Sequence, residues 1–155
     1  MLVHPGSGSP RKNWPADRFA ALIRRLMGDR WSVSLLQGPA DATAVAEVFA
    51  ALGPFSREIP VARPSSVRSL AQWVARAHML VGNDSGVAHL AARLGVPTVA
   101  IFGPTEPSQW APRGPAVAPV GGGGNWPRLE EVLSASEALP RVFAAPVHSQ
   151  GARKR

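Results

Sequence analysis

The apolar positions of this chain follow two periods in turn. Leu2–His4 is a short apolar start that predicts a strand, and a polar loop rich in glycine, serine and proline, Pro5–Asn13, follows it. Phe19, Leu22, Ile23 and Leu26 then fall at i, i+3, i+4 and i+7, the stripe of one helical face. Pro15 suits the first helical position and Gly28 can end the helix. Trp31–Leu36 predicts a second strand, "QGPAD" at 37–41 a turn, and Ala42–Leu52 a second helix. Pro54–Pro64 is irregular, with room for a short edge strand. Ser66–Ala77 predicts a third helix with Leu70, Trp73, Val74 and Ala77 on one side, and Met79–Gly82 a short buried strand. "NDSG" leads into a helix over Gly86–Leu94, which Gly95 and Pro97 stop. Thr98–Phe102 is the next strand, Val117–Val120 a weaker one, and a last helix is expected over Arg128–Leu139. "NWP" at 13–15 recurs at 125–127, in both places as a helix start, and "GGGG" at 121–124 reads as a flexible linker.

Strands alternating with helices predict βαβ units, hence an α/β fold with a parallel sheet. Right-handed crossovers then bring every strand-to-helix loop to one edge, where ligands bind in such sheets. The loops leaving strand ends are 5–13, 37–41, 83–86 and 103–108, and glycine and polar residues concentrate in these four.

Composition narrows the class. A chain of 155 residues implies one domain, 1–144, with a basic tail, 145–155, expected to be disordered. There is no cysteine, so no disulfide or thiolate metal site. No apolar run is long enough to span a bilayer, and the N-terminus lacks the pattern of a signal peptide, so a cytoplasmic protein is expected. The net charge of +7 comes from arginines spread along helices, without a nucleic-acid motif, so no nucleic-acid partner is inferred; acidic ligands or an anionic membrane surface fit it equally. Of the 17 basic residues only Lys12 and Lys154 are lysines, which makes a lysine inside the glycine-serine loop conspicuous. Lysine is a compact charge suited to phosphate.

Three loops carry candidate chemistry. In "GSGSPRK", glycines allow close approach of a ligand, successive amides form an anion-binding concavity, and Ser7, Ser9 and Lys12 add donors. It is neither a P-loop nor a dinucleotide fingerprint, and its spacing also fits an ordinary connection; Lys12 tips it towards function. In "NDSGVAHLAARLG", Asp84 or Ser85 can cap the helix, and Val87, Leu90, Ala91 and Leu94 form an apolar stripe, leaving Gly86, His89 and Arg93 on the opposite side. A helix N-terminus with glycine, serine and a histidine one turn on suits a pyrophosphate. Asp84 would repel phosphate, so it suits a sugar hydroxyl or a capping role. In "FGPTEPSQW", Thr105 could offer a hydroxyl, although a proline-rich turn explains it as well. His4 is held extended before Pro5 and is read as structural. No D-x-D, H-E-x-x-H, EF-hand or G-x-S-x-G pattern is present, and no nucleophile completes a triad with Asp84 and His89.

Together "HPGSGSPRKNWPADRFAALIRRL" and "VGNDSGVAHLAARLGVPTVAIFGPTEPSQWAP" resemble the C-terminal half of glycosyltransferase family 9, the ADP-heptose:lipopolysaccharide heptosyltransferases, over residues 2–114 with a family-like tail to 143. The resemblance implies a GT-B enzyme whose C-terminal domain, a Rossmann-like parallel sheet with helices on both faces, binds the nucleotide-sugar donor. It implies inverting transfer without a metal or other cofactor, from a donor such as ADP-heptose to a lipid A–core acceptor at the inner face of the inner membrane. Carried over by motif, Lys12 binds the diphosphate, Asp84 holds sugar hydroxyls, Ser85, Gly86 and His89 meet the diphosphate at the helix start, and Ser7 and Gly8 line the first loop. The turn at 37–41 lies near the nucleoside. Members of the family carry an N-terminal domain with the acceptor site and general base before the strand that opens at Leu2; that domain is expected to be missing here, so no catalytic residue is assigned. The expectation is a donor half that binds nucleotide and lacks the base: a fragment, a wrongly assigned start, or half of a two-chain enzyme. A non-catalytic nucleotide-binding module is the alternative.

Overall fold

In a computed structural model, which describes residues 1–140, six strands form one wholly parallel sheet. The strands are β1 (Leu2–His4), β2 (Ser34–Leu36), β3 (Val61–Ala62), β4 (Leu80–Asn83), β5 (Thr98–Phe102) and β6 (Val117–Gly121), and the spatial order is β3-β2-β1-β4-β5-β6. This is the doubly wound, Rossmann-like order, with its reversal between β1 and β4. The helices are α1 (Ala16–Gly28), α2 (Ala42–Leu52), α3 (Val67–Ala75), α4 (Gly86–Arg93), the single turn α5 (Pro107–Trp110) and α6 (Leu129–Ala138).

Alternation along the central strands builds two cores. Val3, Val81, Val99 and Ile101 face one way, against Phe19, Leu22, Ile23 and Leu26 of α1, Val45 and Val48 of α2, and Val132 of α6. Leu2, Leu80, Ala100 and Phe102 face the other, against Val74 of α3 and Ala88 and Ala91 of α4. Strands buried on both faces read as continuous apolar runs, which is why "LV", "MLV" and "TVAIF" were legible as strands. At the edge of the sheet, β6 tolerates Pro119 because it pairs only with β5.

Several boundaries differ from the sequence pattern for identifiable reasons. Pro15 is the residue before α1, and not its first helical residue. Gly28 does not terminate α1 by a left-handed turn. That conformation falls on Arg30 (φ 65°), and Arg30 N–H and Trp31 N–H donate to the carbonyls of Met27 and Leu26, each at 3.0 Å, in a Schellman closure. Trp31 is spent on that closure, so β2 starts only at Ser34. On α3, Val74 is fully buried while Trp73 remains 48% exposed. On α4 the buried face is Ala88, Ala91 and Ala92, and Leu94 is 44% exposed, because the small side chains let the helix lie close to the sheet.

The two "NWP" segments dock together: Trp14 Nε1 and Arg18 Nη1 donate to the Pro127 carbonyl at 3.0 and 2.9 Å. The glycine run is a folded turn and not a linker. All four glycines have positive φ, Gly122 and Asn125 form a bridge, and Gly124 N–H donates to the Gly103 carbonyl at 2.9 Å. The expected tail, 145–155, lies outside the described residues.

Arg30 holds a backbone conformation that glycine adopts without penalty. Arg30→Gly is therefore expected to raise the unfolding free energy by about 0.5–1 kcal/mol, measured by urea denaturation; an unchanged or lowered value would contradict the Schellman account.

Candidate functional site

The strand order sets four loops side by side at the carboxyl edge: 37–41 after β2, 5–13 after β1, 84–85 after β4 and 103–106 after β5. Because α1 leaves β1 towards one face of the sheet and α4 leaves β4 towards the other, a crevice opens between the two middle loops.

One buried amide holds the first loop against the fourth strand. Asn83, fully buried, accepts from Trp14 N–H at 2.9 Å and donates through Nδ2 to the Pro5 carbonyl at 2.7 Å. Asn13 Oδ1 accepts from Ser7 Oγ at 2.7 Å, and Ser7 Oγ also bonds Ser9 at both its carbonyl and its N–H. The Ser7 hydroxyl thus shapes the loop from within. The sequence gives Asn83 no role of its own, since one amide beside two polar neighbours, Asp84 and Ser85, carries no spacing signal.

His4, 3% exposed, sits at the end of β1 between two loops. Its Nε2 lies 3.0 Å from Asp41 Oδ2 and its Nδ1 3.4 Å from Ser85 Oγ. Asp41 also accepts from Gly38 N–H at 2.7 Å, so it closes the 37–41 turn. Burial alone would raise the Asp41 carboxyl, but the His4 hydrogen bond, the His4 charge and the Gly38 amide outweigh it and hold the carboxyl below its ordinary value. A Cβ at Gly6 would collide with the Asp41 carboxylate, so Gly6 is there to let the carboxylate in. The structural reading of His4 thus gains named partners; the part played by Asp41 was not visible in a turn sequence.

Across the crevice, Lys12 and Asp84 meet. Lys12 Nζ donates to Asp84 Oδ2 at 3.2 Å, and Thr105 Oγ1 donates to the same oxygen at 3.0 Å. The side chain of Asp84 is 7% exposed and that of Lys12 is 27% exposed, so the ammonium, with three donors, keeps hydrogen-bonding capacity towards the open side. Ser85 caps α4 by accepting from Ala88 N–H at 3.4 Å. Gly86 and His89 are exposed on α4, as their spacing implied. Of the seven candidates, Lys12, Asp84 and Ser85 are linked to other loops by side-chain contacts, Ser7 is engaged within its own loop, and Gly8, Gly86 and His89 stand open.

Glycines separate by whether the fold needs them. Gly82 has the His4 backbone against it, Gly103 the Trp126 ring and Gly114 the Ala92 carbonyl. Gly8 and Gly86 have neither a positive φ nor any atom within 4 Å of a built Cβ. What they leave is open backbone at the first loop and at the α4 N-terminus, where amides and helix dipole favour an anion.

Beside this crevice an apolar slot of about 260 Å³ lies between the 37–41 turn and the start of α3, walled by Leu36, Pro39, Pro64, Val67, Leu70 and Val87. The sequence marked only the turn. Among the described residues no group of three or more His, Cys, Asp or Glu is placed to hold a metal ion, and no helix is long and apolar enough to cross a membrane.

The profile of glycosyltransferase family 9 (heptosyltransferase) matches residues 1–136. Lipooligosaccharide heptosyltransferase 2 of Haemophilus influenzae is 30% identical over 66% of the chain, and lipopolysaccharide heptosyltransferase 1 of Pseudomonas aeruginosa 36% identical over 62%. The chain spans only 30% and 26% of the lengths of those two relatives. The structure of the Escherichia coli ADP-heptose lipopolysaccharide heptosyltransferase II superposes with a TM-score of 0.77 at 26% identity, over 88% of this chain and 45% of that one.

Two expectations follow from the geometry. Asn83→Ala strips partners from Trp14 N–H and the Pro5 carbonyl and should cost about 2–4 kcal/mol in urea denaturation; a loss under about 0.5 kcal/mol would mean the amide is dispensable. Since the folded Asp41 carboxyl is depressed, its stabilisation is complete above the unfolded value of about 3.9 and fades as pH falls through the lower folded value. Asp41→Asn should therefore cost more stability near about pH 6 than near about pH 2, and an equal cost at both would refute the pairing.

Proposed function

Because the chain belongs to glycosyltransferase family 9, we propose that it is the donor-binding half of a heptosyltransferase-like enzyme, holding a nucleotide-sugar in the crevice between β1 and β4. The observation that carries this reading is the convergence of Lys12, Asp84 and the α4 N-terminus there, beside two glycines that the fold itself does not require. The diphosphate lies between the 5–13 loop and α4, where Lys12, His89 and the first amides of α4 meet its charge. The base occupies the apolar slot by the 37–41 turn, and Asp84 accepts hydrogen bonds from hydroxyls of the sugar.

In this reading an acceptor hydroxyl gives its proton to a general base of a partner domain and attacks the anomeric carbon from the face opposite the nucleotide. The bond from that carbon to the diphosphate oxygen breaks, inversion results, and the nucleoside diphosphate leaves with its new charge against Lys12 and the α4 N-terminus. Stabilising a leaving group in this way is electrostatic preorganisation and requires no proton from the chain. The acceptor is a lipopolysaccharide core precursor at the cytoplasmic face of the inner membrane, where a net charge of +7 favours peripheral contact with anionic lipid. In this reading the acceptor site and the general base are supplied by that partner domain, and the chain spans only 30% of the Haemophilus influenzae relative and 45% of the Escherichia coli structure.

Calorimetric titration with ADP, with UDP and GDP beside it, tests the reading. ADP is expected to bind preferentially, with a dissociation constant of about micromolar to millimolar. Lys12→Ala should weaken it about tenfold or more. Gly86→Ala should weaken it as well while leaving thermal stability intact, since its Cβ meets no protein atom. A folded chain that binds no nucleotide, or binds it equally well without Lys12, would sink the proposal.

A further inference from the structure

We propose that Thr105 is a positioning residue for Asp84, holding its carboxylate in the one direction that offers an oxygen to the donor sugar; this inference rests on the nucleotide-sugar reading above. Both hydrogen bonds that Asp84 accepts fall on Oδ2, from Lys12 Nζ at 3.2 Å and Thr105 Oγ1 at 3.0 Å. Oδ1 accepts none. Yet among the described residues no buried side-chain polar atom lacks a partner, so Oδ1 is the oxygen that keeps contact with solvent. The carboxylate thus presents a single free acceptor.

Lys12 alone does not hold that orientation. Its four-carbon stem is flexible and its ammonium can follow the carboxylate as it turns. Thr105 differs: its side chain is β-branched and its loop is held from behind. Gly103 lies against the Trp126 ring so closely that a Cβ there would sit 2.6 Å from the indole. Gly124 N–H donates to the Gly103 carbonyl at 2.9 Å, and Gly122 lies against Pro107 and the Thr105 carbonyl. The glycine turn 121–124 is therefore the outer brace of the site, acting through the 103–107 loop on Thr105 and through Thr105 on Asp84.

A carboxylate oxygen accepts only, so it recognises hydroxyl donors and repels a diphosphate. Thr105 accordingly governs the increment in affinity that the sugar adds to the nucleotide, and leaves the nucleotide itself to Lys12 and α4.

The test titrates ADP and ADP-heptose into the unmodified chain, Thr105→Val and Thr105→Ser, and reads the Asp84 χ1 rotamer from three-bond NMR couplings. Thr105→Val keeps the side-chain shape and removes the donor. The ratio of ADP-heptose to ADP affinity should fall about five- to tenfold, with ADP itself changed less than about twofold, and Thr105→Ser should restore the ratio. Asp84 should show one rotamer in the unmodified chain, averaging in Thr105→Val, and one rotamer again in Thr105→Ser. A single unchanged rotamer in Thr105→Val overturns the positioning role. Equal weakening of ADP and ADP-heptose overturns the link to the sugar. If the unmodified chain binds neither nucleotide, the proposed function fails along with that link, while the rotamer still decides whether Thr105 orients Asp84.

Discussion

Everything at the carboxyl edge depends on the parallel pairing of β1 with β4, in register Leu2↔Leu80, Val3↔Val81 and His4↔Gly82. These two strands sit at the reversal of strand order, so the chain leaves them towards opposite faces. Without the pairing, the loop carrying Lys12 and the helix capped by Ser85 would have no reason to be neighbours. The pairing also constrains composition: at Gly82 a Cβ would lie 2.8 Å from the His4 carbonyl oxygen, so a side chain there would push the strands apart where the crevice opens.

A second constraint follows from burial. Loops that approach a sheet edge this closely bring polar groups with them, and buried polar groups must find partners. Asn83 meets this demand for the first loop and His4 with Asp41 for the 37–41 turn. Asp84, nearly buried, draws donors from two other loops. The result is a row of side-chain bonds running across all four loops in the order of their strands. Each member is also a support, which fixes the open glycines and Lys12 in place before any ligand arrives. Such preorganisation lowers the ordering cost of binding.

The sequence by itself determined the α/β alternation, the parallel sheet, five of the six strands to within a few residues and the position of the crevice loops. It could do so because strands buried on both faces are apolar throughout and α1 shows a clean helical stripe, signals that are local in the chain. It also singled out Lys12, from the scarcity of lysine and its place in the glycine-serine loop, and the open face of α4, from the spacing of Gly86 and His89.

Tertiary structure alone decided the rest. That Lys12 meets Asp84 across 72 positions, Asn83 meets Trp14 across 69 and His4 meets Asp41 across 37 depends on which strands are neighbours, and that ordering leaves no local trace. The glycine run shows the same limit from the other side. Four glycines in a row look like a linker, because glycine permits every conformation; only the Trp126 ring, Pro107 and the Gly103 carbonyl, brought in by the β5–β6 pairing, select one conformation and make it a brace.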